Sequence, residues 1–343
     1  MLAIFVGAAA ISACQNLSGD SAAEPGSAPS SELTDCRTVQ HEMGETEICG
    51  QPQQIVAIGP VALETSLALD IQPVGFADHF PIHKGNYDKP SQQIPYVGDL
   101  ITSPISNVGL SNSPSPEAIL KLQPELILAE RLDPGQYNTL SEIAPTLPLE
   151  LAESEANLVA VARAVGLTEQ AKQTLNETEQ NIASARRDFE PFVKNNPKVL
   201  LLSAFDLQTM FLGNSAHGTC RSIVEEIGFQ LVALPGFDNS DADLQVPISL
   251  EALPELNEAD LVIMLGANFN PPEQPKDIES FEDYQLADIK KSWQENAIAQ
   301  SLNASQAGRV YFIPAYVCLG LPGPIGTELY LEELKQQLLP DAP

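Results

Sequence analysis

Ser115-Pro116-Glu117-Ala118-Ile119-Leu120-Lys121-Leu122, running on through Gln123-Pro124-Glu125 into Leu126-Ile127-Leu128, has a near copy far down the chain. The copy is Ser249-Leu250-Glu251-Ala252-Leu253-Pro254-Glu255-Leu256, followed after a one-residue slip by Asp260-Leu261-Val262-Ile263-Met264. Each begins with a serine able to cap a helix and places a glutamate two residues later. A short apolar helix and an acidic residue then lead into a buried strand. A serine at the N-cap turns its hydroxyl to free backbone N–H groups, and a carboxylate in the first turn faces the positive end of the helix dipole. Glu117 and Glu251 are therefore expected to be exposed, ordered and ionised. One such unit is ordinary helix-start chemistry. Two at matching places imply two similar lobes, each carrying one acidic knob, a surface suited to a partner with two basic sockets.

Around the repeats, strand and helix signals alternate. Ile55-Val56-Ala57-Ile58 reads as a buried strand, residues 61–69 as a short helix and 73–77 as a second strand, a pattern that calls for a parallel sheet covered on both faces. Residues 78–115, rich in Pro and Gly, read as one long connection of the kind that carries function. Residues 157–166 and 168–189 read as helices, the second polar on most faces, stopped by Pro191 and best taken as a strut. A second α/β region follows, with a strand at 199–202, a helix at 222–227, a strand at 229–232, the second repeat unit, a strand at 310–313 and a last helix at 325–339.

The chain begins with an apolar run, Met1 to Ala10, and reaches Ile11-Ser12-Ala13-Cys14. The run is short for a membrane span and reads as a secretory signal, and the tetrad resembles the bacterial lipobox, whose cysteine is acylated. No Lys or Arg precedes the run, a departure from the usual signal. The Ser/Pro/Gly-rich residues 15–35 lack apolar periodicity and read as a flexible tether between lipid and body.

At 343 residues two folded regions are expected. Seventeen basic against 46 acidic residues leave a net charge of −29, which excludes nucleic acid and adhesion to anionic lipid by charge. With Cys14 set aside, Cys36, Cys49, Cys220 and Cys318 remain, an even number in an oxidising compartment. A Cys36–Cys49 bond would close a short loop worth about 3 kcal/mol in the chain-entropy model. Cys220 and Cys318 are either the second pair or two buried thiols.

The lipobox, Cys36-Arg37, His41-Glu42-Met43-Gly44-Glu45-Thr46, Ala62-Leu63-Glu64-Thr65-Ser66-Leu67-Ala68-Leu69, the two repeat units, Ile143-Ala144-Pro145-Thr146 and Gly228-Phe229-Gln230-Leu231-Val232 together resemble the iron-siderophore substrate-binding lipoproteins of ABC importers. The likeness runs from Cys36 to Pro340 and is strongest to cyanobacterial members. No single motif decides it, but their order does. The resemblance implies an α/β fold of two lobes, each with a mainly parallel sheet flanked by helices, joined by one long rigid helix, with a ligand cleft between the lobes and little hinge closure. The corresponding division is 1–14 signal peptide with lipobox, 15–50 tether and disulfide-closed segment, 51–166 N-lobe, 167–191 connecting helix and 192–343 C-lobe. It further implies a monomeric, non-enzymatic periplasmic lipoprotein, held to a membrane only through Cys14. No cofactor is implied; the ligand is an Fe(III)-siderophore complex, passed to a permease dimer with its ATPase. Glu117 and Glu251 match the two glutamates, one per lobe, that dock on permease arginines, and such pairs can be bidentate.

For the cleft, positions following strand ends give His79, Arg131, Tyr137, Phe205, Met210, His217, Phe269 and Tyr316 as ligand-binding candidates, because ferric chelates combine ring surface with anionic oxygens. Arg131, directly after a strand, leads them; the competing reading pairs it with Glu130 or Asp133 on the surface. Ser111 stands where hydroxamate-binding relatives carry arginine. Cys220 and Cys318 also depart from the family pattern, and one bond between them would explain both. A free-metal binder would need several converging imidazoles, whereas only His41, His79, His83 and His217 exist. Haem or cobalamin would keep the same architecture. A hydrolase is the remaining rival, since Gly213-Asn214-Ser215-Ala216-His217 nearly spells a nucleophile elbow but lacks its last glycine.

Overall fold

Runs of β-branched and leucine residues with no polar alternation need cover on both faces, and they obtain it twice. The computed structural model describes residues 35–80, 83, 85–214, 217–234, 246–268 and 278–340, so the signal, Cys14 and residues 15–34 of the tether lie outside the described residues. Strands β1 (Cys36–His41) and β2 (Gly44–Cys49) form a hairpin in which Cys36 lies opposite Cys49 and is bonded to it. The first large sheet contains β3 (Ile55–Ile58), β4 (Gly75–Asp78), β5 (Ser106–Leu110), β6 (Ser113–Pro114), β7 (Leu126–Glu130) and β8 (Thr146–Leu149). Its order is β6-β5-β4-β3-β7-β8, parallel except for the short β6.

The second sheet contains β9 (Lys198–Asp206), β10 (Thr209–Leu212), β11 (Gln230–Leu231), β12 (Val246–Ile248), β13 (Leu261–Gly266) and β14 (Val310–Pro314). Its order is β12-β10-β9-β13-β14, with β11 also on β9; β10 alone runs against its neighbours. Helices α1 (Pro60–Ala68), α2 (Pro90–Gln93), α3 (Pro116–Lys121), α4 (Pro134–Ser141) and α5 (Ser154–Val165) accompany the first sheet. After α6 (Thr168–Asn195) come α7 (Gly218–Glu226), α8 (Ile278–Glu295), α9 (Ala297–Ser301), α10 (Asn303–Gln306) and α11 (Pro324–Leu338).

Three expectations need correction. Residues 78–115 are not one loop, because Val108 and its neighbours form β5, whose Pro- and Gly-rich flanks hide a strand within the first sheet. Pro191 does not stop the connecting helix, which runs to Asn195. Its ring is exposed, so the carbonyl that loses its N–H partner is left facing water, and the Asn195 and Asn196 amides donate to the carbonyls of Pro191 and Phe192. In the second repeat unit, residues Leu250–Leu256 form a 3-10 helix whose Ser249 hydroxyl makes no cap bond, unlike Ser115, which accepts from the Ala118 N–H at 3.3 Å. Pro254 has no N–H to offer the Leu250 carbonyl, and the tighter turn results. Glu117 and Glu251 are both exposed in their first turns.

Helix α6, about 42 Å long at 1.5 Å per residue, buries Ala171 in the first core and Ala185 and Phe189 in the second. A second brace is shorter and fully enclosed. Glu64, on α1 and 0 % exposed, sends its carboxylate to the first turn of α11, where it accepts from the N–H groups of Gly323 (2.8 Å) and Gly326 (2.7 Å). Around it the first core runs on into Phe281, Tyr316 and Leu321 of the second half. The Cys220–Cys318 bond then ties α7 to the turn of residues Tyr316–Gly320.

Removing the Glu64 acceptor strands buried donors, so Glu64→Ala is expected to cost about 3 kcal/mol in chemical denaturation. Burial pushes the Glu64 carboxyl up from 4.5 to about 7, against the pull of the α11 N–H groups. Between those values the folded protein keeps a proton that the unfolded chain has released. The favourable contribution, complete below pH 4.5, is therefore lost as pH rises to about 7. Urea denaturation of the wild type across that window, set against Glu64→Gln, is expected to show a steeper loss in the wild type, the buried Asp78 carboxyl contributing to both profiles; parallel profiles would contradict it.

Candidate functional site

Parallel strands end together, and backbone leaving their carboxyl ends forms the crevice of an open α/β sheet. Here the carboxyl ends of both sheets border one cavity of about 540 Å³. From the first half come Pro60 and Val61 after β3, His79 and Phe80 after β4, Glu130 and Arg131 at the end of β7, and Leu151 after β8. The second half supplies Ser203 and Phe205 of β9, Phe211 of β10, Ala267 after β13, and Tyr316, Leu319 and Gly320 after β14. Phe205, 41 % exposed, meets Phe211 edge-on at 6.3 Å between ring centroids.

Beneath these side chains lies a buried acidic frame. Glu130, 1 % exposed, turns inward and accepts from the Val61 N–H at 2.8 Å, while its other oxygen lies 3.0 Å from His79 Nδ1. The contact fixes the imidazole ring, leaving Nε2 as its other polar atom. Asp78 accepts from the His79 N–H at 2.6 Å and so shapes the turn that carries His79 and Phe80; burial pushes its carboxyl up to about 7. Because Glu130 is committed to His79 and Val61, and Asp133 caps α4 by accepting from Gly135 and Gln136, neither carboxylate pairs with Arg131. Arg131 is exposed, sits at φ 53°, and has no acidic partner among the described residues. A left-handed arginine is a strained conformation of the kind that gathers at binding sites.

The model of the family described as periplasmic binding protein matches residues 55–317, most of the chain. The chain belongs to the periplasmic binding protein family. Among curated relatives, the Fe(3+)-citrate-binding protein YfmC of Bacillus subtilis is 26% identical over 306 residues, 87% of this chain and 85% of that protein. Among solved structures, Staphylococcus aureus SirA complexed with staphyloferrin B superposes with a TM-score of 0.69 at 21% identity, covering 88% of this chain and 98% of that one. FeuA from Bacillus subtilis complexed with ferri-bacillibactin gives 0.63 at 19% identity, over 89% and 98% of the two chains. The periplasmic binding protein assignment is that of an extracytoplasmic binding protein, and the shared fold is the two-lobed α/β architecture described above.

Of the residues expected in the cleft of this periplasmic binding protein, His79, Arg131, Phe205 and Tyr316 line it. Met210 does not: β10 alternates, so Met210 and Leu212 point into the second core and Phe211 faces the cavity. Tyr137 lies away from it, against the β1–β2 hairpin, with its hydroxyl 3.5 Å from Thr46 Oγ1 and its ring against His41. His217 is buried one layer behind, with Nε2 2.8 Å from Ser203 Oγ. Phe269 lies outside the described residues. Sequence reasoning missed Phe80, Glu130, Ser203 and Phe211; Glu130 entered it only, with Asp133, as a competing partner for Arg131.

Gly59, at φ 95°, places its α-carbon so close to Glu130 that any β-carbon would overlap that carboxylate. Gly59→Ala is expected to displace Glu130 from Val61 and His79 and to lower stability by about 2 kcal/mol, read as a fall in thermal midpoint. An unchanged midpoint would argue against the close approach.

Proposed function

We propose that the protein captures a ferric chelate of the siderophore type in the inter-lobe cleft and presents it to an ABC import permease, performing no chemistry itself. The observation that carries the reading is the exposed Arg131 on the lining of a cavity also walled by Phe80, Phe205, Phe211 and Tyr316. A ferric chelate offers both surfaces these side chains want, anionic oxygens for the guanidinium and ring or alkyl faces for the aromatics. Relatives named for Fe(3+)-citrate, and similar folds solved with staphyloferrin B and ferri-bacillibactin, agree in ligand type. A bare metal ion suits the site less well. The four imidazoles are spent at separate places: His41 on Thr46, His79 on Glu130, His83 on the Asn86 carbonyl and His217 on Ser203.

The topology supports a docking role for both glutamates. Ser249 comes directly after β12, which runs parallel to β9, so Glu251 starts its helix at the carboxyl edge of the second sheet. The Ser115 N–H bonds the Val108 carbonyl of β5, so α3 and Glu117 start beside the carboxyl half of that strand. Both glutamates thus belong to the cleft-facing edges, a layout fitted to a partner with one basic socket per lobe. We take lobes 51–166 and 192–343 as the working units, a monomer anchored through acylated Cys14 and served by a permease dimer and its ATPase.

Calorimetric titration of the purified protein with ferric citrate, a ferric tris-catecholate, ferric desferrioxamine, haemin and free Fe(III) tests the ligand class. At least one ferric chelate is expected to bind, with Arg131→Ala weakening it ten-fold or more. Binding of haemin or free iron alone, or of no member of the panel, would overturn the reading. Charge reversal of Glu117 and Glu251 together is expected to abolish iron import in cells while leaving chelate affinity unchanged, and reduced affinity in that double variant would contradict a docking role.

A further inference from the structure

His79 and Glu130 form a pair whose carboxylate end is buried and whose imidazole end borders the cleft. Glu130 has one oxygen accepting from the Val61 N–H at 2.8 Å and the other 3.0 Å from His79 Nδ1. Two bare lone pairs at that distance would repel, so a proton lies between the oxygen and the nitrogen, whichever of them it rests on. On the other side of the ring, Nε2 is bonded to none of the described residues, and His79 lines the cavity with 27 % of its side chain exposed. What Nε2 offers a ligand follows from the proton count of the pair. With the bridging proton alone, Nε2 is a bare acceptor and the pair carries one negative charge. With a second proton, Nε2 becomes a donor and the pair is neutral overall. Both statements hold wherever the bridging proton sits.

Among the described residues, the titratable and charged groups around the pair are Asp78 at the end of β4, Tyr87 after it, Arg131 after β7 and, from the second half, Tyr316. Burial pushes both phenols up, so they stay neutral, and pushes the Asp78 carboxyl up to about 7. A pair holding one proton therefore meets an incoming anion with a negative charge and a lone pair, both repulsive. A pair holding two meets it with an N–H donor and no net charge. We propose that His79 is a specificity-determining residue that donates from Nε2 to an anionic oxygen of the chelate, so that the Glu130–His79 pair takes up one proton from solvent for each chelate bound and returns it on release. The proposal rests on the chelate-binding reading above and adds proton linkage to it. Imidazole is the side chain whose charge changes between about pH 5 and 8, which places the linkage near neutrality. Binding is tightest at low pH, where the pair already holds both protons, and weakens as pH rises.

The test is calorimetric titration of the purified protein with ferric citrate and with a ferric tris-catecholate, from about pH 5.5 to 8.5 and in two buffers of different ionisation enthalpy. Wild type is expected to bind at least one of them more weakly as pH rises, by up to about ten-fold per pH unit, the limit for one proton. Its heat is expected to vary with the buffer, by the amount for about one proton taken up at the alkaline end. His79→Gln keeps an N–H donor but cannot titrate, and is expected to lose both the slope and the uptake in excess of what the chelate itself contributes. That contribution is common to both proteins, so the difference between them is the readout. Equal slopes and equal proton counts in the two proteins would put the linkage on Asp78 or the ligand, and would overturn the proposal while leaving the chelate reading intact. Heat independent of buffer in the wild type at the alkaline end would do the same, whatever the variant does. Binding of ferric desferrioxamine alone, whose complex has no net negative charge, overturns the proposal but not the chelate reading. A wild-type protein that binds none of the three ferric chelates overturns both.

Discussion

The bond between Glu64 and the first turn of α11 is the constraint on which the cleft depends. A carboxylate removed from water is expensive unless donors surround it, and Gly323 and Gly326 supply them because nothing but hydrogen projects from their α-carbons. A β-carbon on Gly326 would strike the Leu321 carbonyl, and one on Gly323 would press on Glu64 itself. The two halves are thus joined at a point where neither side chain nor backbone can slide without leaving buried polar groups unpaired. Helix α6 holds the halves apart along their length, and this contact pins them at one place.

A pinned pair of lobes changes how a ligand is held. Where lobes swing shut, part of the binding free energy goes into ordering them, whereas a preformed cleft loses little to reorganisation and must gain its selectivity from fixed donors and walls. The arrangement under the cavity fits that demand. Glu130 fixes His79, Asp78 fixes the turn that bears it, His217 is hydrogen-bonded to Ser203, and the Cys220–Cys318 bond holds the turn containing Tyr316 and Leu319. His79, Ser203 and the turn that bears Tyr316 thus each have a buried bond behind them.

The repeat of Ser115 and Ser249 was enough to reveal two α/β halves, because strand and helix periods depend on local apolar spacing. It could not reveal that Pro254 tightens the second unit or that α6 carries Pro191 on an exposed face, since both depend on where solvent lies. The cleft was legible where a candidate directly followed a strand end, as with Arg131 and His79. It was illegible where the side of a strand decided the matter. Met210 and Phe211 are neighbours in sequence and opposites in space, and only the register of β10 against β9 tells which faces the cavity. The pairing of Glu130 with His79, 51 positions apart, was equally hidden. Adjacency offered Glu130 as a competing partner for Arg131, and the inward turn of its side chain is what takes it away from that arginine.

The net charge of −29 raises the question of how an anionic chelate is admitted at all. At 0.15 M salt the Debye length is about 8 Å, so carboxylates scattered over the outer surface are largely screened from a ligand inside the cleft. What the ligand meets is the local balance. There Asp78, pushed up to about 7 by burial, carries only part of its formal charge near neutrality, and Glu130 spends its oxygens on the Val61 N–H and on His79. Arg131 lines the cavity while remaining exposed, so its charge acts there through partly screened surroundings. Distant repulsion slows encounter without weakening the bound state, so the groups that border the cleft weigh more in binding than the acidic outer surface.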